Sequence, residues 1–383
     1  MAETALQSLW TAGVSVIPAL LVLTVVVFVH EMGHFLVARW CGIRVAAFSL
    51  GFGRELAGFN DRRGTRWKLS LVPLGGYVRF EGDDNAASMP NAESLETLPL
   101  SERAGLFHFS ALWRRALVVT AGPAANFILS ILVFAALFAT YGRPVSVPRA
   151  DTIVAGSPAE KAGIKPGDRI LSIDGSPIES FSDLQQIVTL AAGDTLAVLV
   201  ERNGERIALS ATPERREVPD GLGGTQRVGM LGISRTIGAG DVVFHRYSAL
   251  GAVGEGVKET WTIVERTLTY VGRLLRGRET VDQLSGPIRV AQVSGVIASS
   301  SGFPGMVGLM AMLSVSIGLL NLFPVPMLDG GHLLFYALEA LRGRPLSARA
   351  QEFGFRVGFA LVILLFVFVT FNDITKILPF TGS

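Results

Sequence analysis

The stretch AGVSVIPALLVLTVVVFVHEMGHFLVARW, Ala12 to Trp40, joins two features that rarely share a segment. It is long and apolar enough to cross a hydrocarbon core of roughly 30 Å, which takes about 20 helical residues. It also carries His30, Glu31, Met32, Gly33 and His34, an H-E-x-x-H string. Residues four apart stack on one helix face, so both imidazoles can reach one metal ion, and Glu31 is placed to act as a base on the attacking water. Two imidazoles and a carboxylate inside a lipid-spanning helix are costly unless they face a protein-lined or wet cavity and find partners. The segment that sets the membrane class therefore also proposes a metal site; the competing reading is a buried polar network or proton path without metal.

The rest of the chain has the same character. Its 383 residues are 49% apolar and only 17% charged, with a mean hydropathy of +0.44, which places it among integral membrane proteins. Three further segments, Ala116 to Tyr141, Gly305 to Phe323 and Val357 to Phe371, complete four predicted transmembrane helices, and the lipid bilayer is the first expected partner. The N-terminal apolar run lacks a basic leader and an A-x-A cleavage site, so it is read as a retained helix. With 34 basic against 32 acidic residues there is no charge surplus for a nucleic-acid partner, and none is expected. The single cysteine, Cys41, excludes an intramolecular disulfide and any C-x-x-C site, so a metal must be held by histidines and carboxylates.

Basic residues orient the spans. Arg39, Arg44, Arg114 and Arg115 border the first loop and Arg342, Arg344, Arg349 and Arg356 lie in the third, so both loops are expected in the cytoplasm. The termini and the segment from Gly142 to Pro304 then lie outside, in the periplasm of a cell that has one. The expected divisions are a first span over 1–40, a cytoplasmic β-hairpin loop region over 41–115, a second span over 116–141 and a compact α+β domain over 145–213. A connector with an amphipathic helix follows over 214–304, then a third span over 305–334 and a cytoplasmic loop with the fourth span over 335–383. Within the first loop, AFSLGFG and RWKLSLVPLGGYVRF read as short strands broken by glycines, and Asp83 to Glu102 as a polar mobile loop. Glu214 to Gly224 reads as a connector. Ala249 to Leu275 has amphipathic spacing, suited to lying on the outer leaflet or packing on the soluble domain.

Catalytic zinc needs three protein ligands and an open position. The strongest candidate for the third is Asp329 in NLFPVPMLDGG, a carboxylate flanked by glycines where Pro324 and Pro326 end a span. The bland reading is a turn aspartate at the membrane interface. Glu55, downstream of His34, and Cys41 at the membrane boundary are weaker candidates, and His332 is at best a neighbour of Asp329.

HEMGH in the first span, GGYV in the first loop, AGPAANF in the second span and NLFPVPMLDGGH in the third together resemble the site-2 proteases, most closely the bacterial regulator-of-sigma-E protease branch. The resemblance covers nearly the whole chain in order. It implies Zn2+ held by His30, His34 and Asp329, with Glu31 as general base for attack on a peptide carbonyl in a transmembrane helix. It also implies that Asn321 contacts the substrate backbone or the oxyanion, and that Gly75, Gly76, Tyr77 and Val78 form a membrane-dipping β-loop that pairs with unwound substrate. Gly122, Pro123 and Asn126 match another family motif, read here as helix packing. GSPAEKAGIKPGDRILSIDG in the outer segment resembles PDZ domains of bacterial proteases; only one such domain is read, and no Gly-Leu-Gly-Phe type loop precedes it. A filter against bulky substrates is therefore preferred to capture of free C-termini, though a peptide or protein contact through the domain remains open.

The expected function is zinc-dependent endoproteolysis of single-span membrane proteins, anti-sigma factors or remnant signal peptides, in regulated intramembrane proteolysis at the bacterial inner membrane. A catalytically silent PDZ scaffold and an ion or proton transporter are the alternatives; neither requires every group needed for metal hydrolysis.

Overall fold

The computed structural model describes residues 2–83, 103–219, 225–235, 242–277 and 286–377. Beyond Asp83, the expected polar loop to Glu102 lies outside the described residues. Two compact units are present: Met1–Ala135, Val253–Thr267 and Gly286–Phe371 form one, and Ala136–Ala252, Leu268–Ser285 and Asn372–Ser383 the other.

In the first unit, the described residues include four helices long and apolar enough to cross a membrane, so this is a membrane protein of mixed helix and strand content. They are Val16–Trp40 within the helix Ala2–Trp40, Leu112–Thr140, Gly302–Asn321 and Arg349–Lys376. The second starts four residues before the hydropathy limit, because Arg114 and Arg115 stop an apolar count but not a helical backbone. The third stops short of the expected 305–334 division. It ends at Asn321, since Pro324 and Pro326 cannot donate to a continuing helix, and Asp329 instead opens a separate helix, Asp329–Arg342. The Asp-Gly motif thus stands outside the span to which it was assigned.

Small residues let these helices approach closely, as expected where lipid tails supply no hydrophobic drive between spans. A Cβ on Gly33 would run into the Ala121 carbonyl, and one on Gly318 would lie 3.1 Å from Asn126 Cβ. Ser314 donates to the Asn126 carbonyl at 2.9 Å. The amphipathic helix Ala249–Leu275 has the expected limits but a different seat for its middle. Gly256 abuts Ile131 and Ala135, Thr260 shares a hydroxyl contact of 3.2 Å with Ser130, and Val264 packs with Val315 and Leu319. Residues 253–267 therefore pack on the second and third spans.

The first loop holds two long strands, β1 (Val45–Asn60) and β2 (Arg66–Phe80), rather than several short ones. Phe48 pairs with both Trp67 and Val78, and Ser49 with both Lys68 and Tyr77, while Phe59 pairs with Trp67 from the other side. Each strand is thus bent back across its partner, giving four segments in the order 55–60, 66–72, 45–50 and 76–80. The bends need left-handed backbone, supplied by Gly51 at φ 86° and Gly75 at φ 137°. Among the described residues, segment 76–80 is left as an edge. Phe35 of the first helix stacks edge-on to Phe48 at 5.4 Å, fixing the sheet to the helix. Asp61 at the hairpin turn ties the other end. Burial opposes its ionisation, but donors from Trp67, the Arg63 backbone, Arg39 and the Thr65 backbone hold its carboxyl down at about 2.

The second unit contains an antiparallel four-stranded sheet in the order β4 (Ser176–Pro177), β3 (Arg169–Ile173), β5 (Leu196–Arg202) and β6 (Glu205–Ala211). The helix Phe181–Leu190, with a Ser180/Asp183 capping box, buries Leu184 and Val188 in a core with Ile170, Ile173, Val198 and Val200. The structure corrects the reading of Glu214 onward as a connector. Glu214–Pro219 is a strand paired with Thr225–Met230, Arg227 bridges to Glu217 at 2.8 Å, and Leu231 returns to the core at 3% exposure. The charge of ERREVP hid the strand: Glu217 pairs across the hairpin with Arg227 and Glu214 reaches Lys161, so these side chains do not fill the core. Residues 220–224 lie outside the described residues.

Asp168, in the Pro-Gly-Asp turn of this unit, is fully buried and takes two 2.7 Å bonds from the Arg202 guanidinium and one of 2.9 Å from the Lys165 backbone. Burial alone would raise its pKa, but these donors hold it below the ordinary carboxylate value. Because the folded value is depressed, the pair's contribution is complete above the unfolded value of about 4 and is lost as pH falls through the folded one. Arg202→Ala should destabilise this unit at neutral pH and do so less in acid. Hydrogen exchange of β3 and β5 across pH in wild type and variant measures it; a pH-independent loss would contradict the pairing argument.

Candidate metal centre

The H-E-x-x-H helix brings its two imidazoles together as the spacing requires. His30 Nε2 and His34 Nε2 lie 3.2 Å apart, and both are buried. Asp329, entering from the start of the Asp329–Arg342 helix, places Oδ2 3.1 Å from His30 Nε2 and Oδ1 3.5 Å from His34 Nε2. These are the only described His, Cys, Asp or Glu side chains that converge as a group of three or more suited to a metal. Two unprotonated imidazole nitrogens and a carboxylate do not attract one another, and Asp329 Oδ2 is buried without a hydrogen-bond partner. A cation between them resolves both facts. Corners of a tetrahedron about 2.0–2.1 Å from its centre stand about 3.3 Å apart, matching the separations of these atoms, so the donor set fits a tetrahedral zinc in number, type and spacing.

The second span supplies the surroundings. His34 Nδ1 donates to the Val118 carbonyl at 2.8 Å, which leaves Nε2 as the lone-pair nitrogen facing Asp329. His30 Nδ1 lies 3.3 Å from the amide of Asn126, which is fully buried and whose Oδ1 has no other partner. A half-turn of that amide gives the His30 Nδ1 proton an acceptor and leaves its Nε2 free for a metal. Asn126, read from the sequence as packing, is thus a ring partner of a site histidine. The signal was present: an amide in the middle of the apolar AGPAANF run must find a polar partner. A Cβ on Gly122 would fall on His34 Nε2 and close to His30 Nε2, so glycine keeps the space beside both nitrogens open.

A cavity of about 190 Å³ surrounds these atoms. His30, Glu31, His34, Asn321, Met327, Asp329 and His332 line it, as do Gly76, Tyr77 and Val78 from the sheet edge. Gly76 packs directly on Glu31, whose Cγ would lie 3.2 Å from an added Cβ. Gly75 is not on the wall; its role is the bend, with its Cα against the Phe52 ring. The weaker ligand candidates go elsewhere. Glu55 pairs with Arg66 and Lys68 on the hairpin, and Cys41 is packed among apolar groups beside Phe35 and Ile43. His332 shares the cavity wall, with its ring 5.3 Å from Phe355 and 6.4 Å from Tyr336.

The family model described as "Peptidase family M50" matches residues 18–365. A protein of Agrobacterium fabrum whose name describes a zinc metalloprotease is 51% identical over 363 residues, covering 95% of this chain and 96% of that one. The metalloprotease MmpA of Caulobacter vibrioides is 41% identical over 384 residues, with coverages of 95% and 96%. A Rickettsia conorii protein, also named for zinc metalloprotease activity, is 31% identical over 365 residues, with coverages of 95% and 99%.

Proposed function

The chain belongs to peptidase family M50, and from that premise we propose that it hydrolyses peptide bonds inside the membrane, in single-span protein substrates, with His30, His34 and Asp329 holding the metal and Glu31 as general base. It is a membrane metalloprotease, and its cofactor is zinc. The observation that carries the site assignment is the convergence of the two Nε2 atoms and the Asp329 carboxylate at one end of an apolar helix bundle.

Zinc, when bound, supplies Lewis acidity toward the scissile carbonyl and lowers the pKa of water. Glu31 takes the proton from the attacking water as its oxygen bonds to the carbonyl carbon, then passes that proton to the amide nitrogen as the C–N bond breaks. Val118 and Asn126 fix the imidazole rings, so little reorganisation is needed during this step. Asn321, on the cavity wall, is assigned to hold the substrate backbone or the developing oxyanion. The 76–80 edge is assigned to pair with substrate: a helical peptide bond is shielded, and an edge strand offsets the hydrogen bonds lost when the helix unwinds. Tyr77 and Val78 would border that extended segment.

By resemblance to the regulator-of-sigma-E branch, anti-sigma factors and remnant signal peptides are the proposed substrate groups, cleaved at the bacterial inner membrane after a first cut outside. The outer domain is proposed to be a single PDZ-like module on the periplasmic side. A cavity of about 390 Å³ between the helix Phe181–Leu190 and residues Met230 to Ile233 supports a peptide contact there. Leu231-Gly232-Ile233 lies at the C-terminal end of this domain, so a search for a peptide-binding loop ahead of it would miss this segment.

The test is cleavage of a single-span model substrate in proteoliposomes holding the purified chain. Cleavage within the span that stops on chelation, returns with zinc and rises when the substrate span carries a helix-breaking residue is the expected result. Cleavage confined to residues outside the span would overturn the intramembrane reading.

A further inference from the structure

The fourth span touches the rest of its unit over a narrow footprint. From Arg349 to Thr370 most of its side chains are exposed, and Phe355 and Gly358 are the described residues of that stretch that are buried. What they touch is the segment that delivers Asp329. A Cβ on Gly358 would collide with the Pro326 carbonyl, and one on Gly354 would lie 2.9 Å from the Phe335 ring. On its other side Pro326 meets Gly331, where a Cβ would lie 2.6 Å from Pro326 Cα. Pro326 is therefore gripped between two glycines, one on the following helix and one on the fourth span. The next residue, Met327, has φ 88°, a left-handed conformation that costs a non-glycine residue of order 1–3 kcal/mol and persists only when its surroundings impose it. Two residues further on, Asp329 presents a buried carboxylate oxygen without a hydrogen-bond partner.

We propose that the fourth span is a clamp on the third ligand: Gly358, with Gly354 and Phe355 beside it, seats Pro326 so that the strained Met327 turn projects Asp329 onto His30 and His34. Gly358 is a positioning residue. It acts through the backbone of Pro326 and touches neither substrate nor metal. The arrangement also explains why two glycines lie four apart in a span that otherwise faces outward: close approach is needed only where the loop crosses. Phe355, 5.7 Å from Phe335 and 5.3 Å from His332, fixes the rotation of the span so that this face meets the loop.

This inference rests on Asp329 as a ligand, so the experiment includes Asp329→Ala as its reference. Full-length wild type, Asp329→Ala, Gly358→Ala, Gly354→Ala and the exposed-face control Leu361→Ala are purified in detergent, and zinc affinity is measured by chelator competition beside thermal melting. The cobalt-substituted proteins are compared by visible absorption. Gly358→Ala should weaken zinc by about tenfold or more, in the range of other ligand-orienting residues. It should also perturb the cobalt spectrum in the direction of Asp329→Ala. Gly354→Ala, whose clash is with the end of a ring, should show a smaller loss and Leu361→Ala none. If Gly358→Ala does not fold, a zinc loss in Gly354→Ala at unchanged melting carries the same conclusion. Wild-type zinc affinity in a folded glycine variant overturns the clamp, as do losses that only track melting across all variants. No loss in Asp329→Ala overturns the ligand assignment itself.

Discussion

Glu31→Gln should leave about one zinc per chain and an unchanged melting temperature while cleavage falls by roughly 10²–10⁴-fold, the range of a lost general base. The reason is local. Gln keeps the size of the side chain beside Gly76, so the contact between the first helix and the 76–80 edge survives. The histidines and Asp329 are untouched, so the metal stays. What disappears is an acceptor for the proton released as water attacks and its later donor to the leaving nitrogen. Zinc content and single-turnover cleavage of a single-span substrate, measured on the same preparation, decide it. Loss of zinc together with activity would instead make Glu31 part of the metal's support, and wild-type turnover would remove it from the mechanism.

Gly122→Ala should do the reverse to the metal. In an ordinary helix interior alanine is favoured over glycine by about 1 kcal/mol, but here overpacking of order 1–3 kcal/mol against the His34 ring offsets that gain, so the metal-free protein should melt modestly below wild type. Here the added methyl falls on the lone-pair nitrogen of His34, whose ring cannot swing freely because Nδ1 is held by the Val118 carbonyl. Zinc affinity should drop by at least about 10–100-fold, with cleavage following it. The loss of zinc affinity should thus far exceed what the modest drop in metal-free melting accounts for, a disproportion that general destabilisation does not produce. Full zinc occupancy in a well-folded Gly122→Ala would show that the space beside the two nitrogens is not where the ion sits.

The clamp and the base depend on different parts of the chain. Gly358 and Gly122 both act on metal affinity, from opposite sides of the ligand set, whereas Glu31 acts on the proton. Combining Gly358→Ala with Glu31→Gln should therefore give close to the product of the single effects on cleavage at subsaturating zinc, provided the two sites do not couple through shared partners.

His30, Glu31 and His34 were legible in the sequence because helical periodicity alone puts residues four apart on one face. Asp329 was legible as a candidate because a glycine-flanked carboxylate beside two prolines at the end of an apolar run needs a partner. The membrane class and the approximate position of each span followed from apolar length. The limits of those spans were less legible: hydropathy stops at Arg115, while the helix runs back to Leu112, and it runs on past Asn321, where proline ends the backbone ladder. Local composition also misled at Glu214–Pro219, a strand whose Glu217 pairs across a hairpin with Arg227.

What the sequence determined by itself is the chemistry of each short segment, since the reach of a side chain along one helix or strand is set by its own backbone. Which segments meet was decided only by the tertiary structure. Nothing local predicts that Asn126 and the Val118 carbonyl orient the two histidines, that β1 and β2 bend so that segment 76–80 is left as the edge beside Glu31, or that Gly358 receives Pro326. Those contacts join residues 96 and 84 positions apart in the first case, 45 in the second and 32 in the third; they depend on close packing of several elements at once, and no window of sequence contains the surfaces that must match.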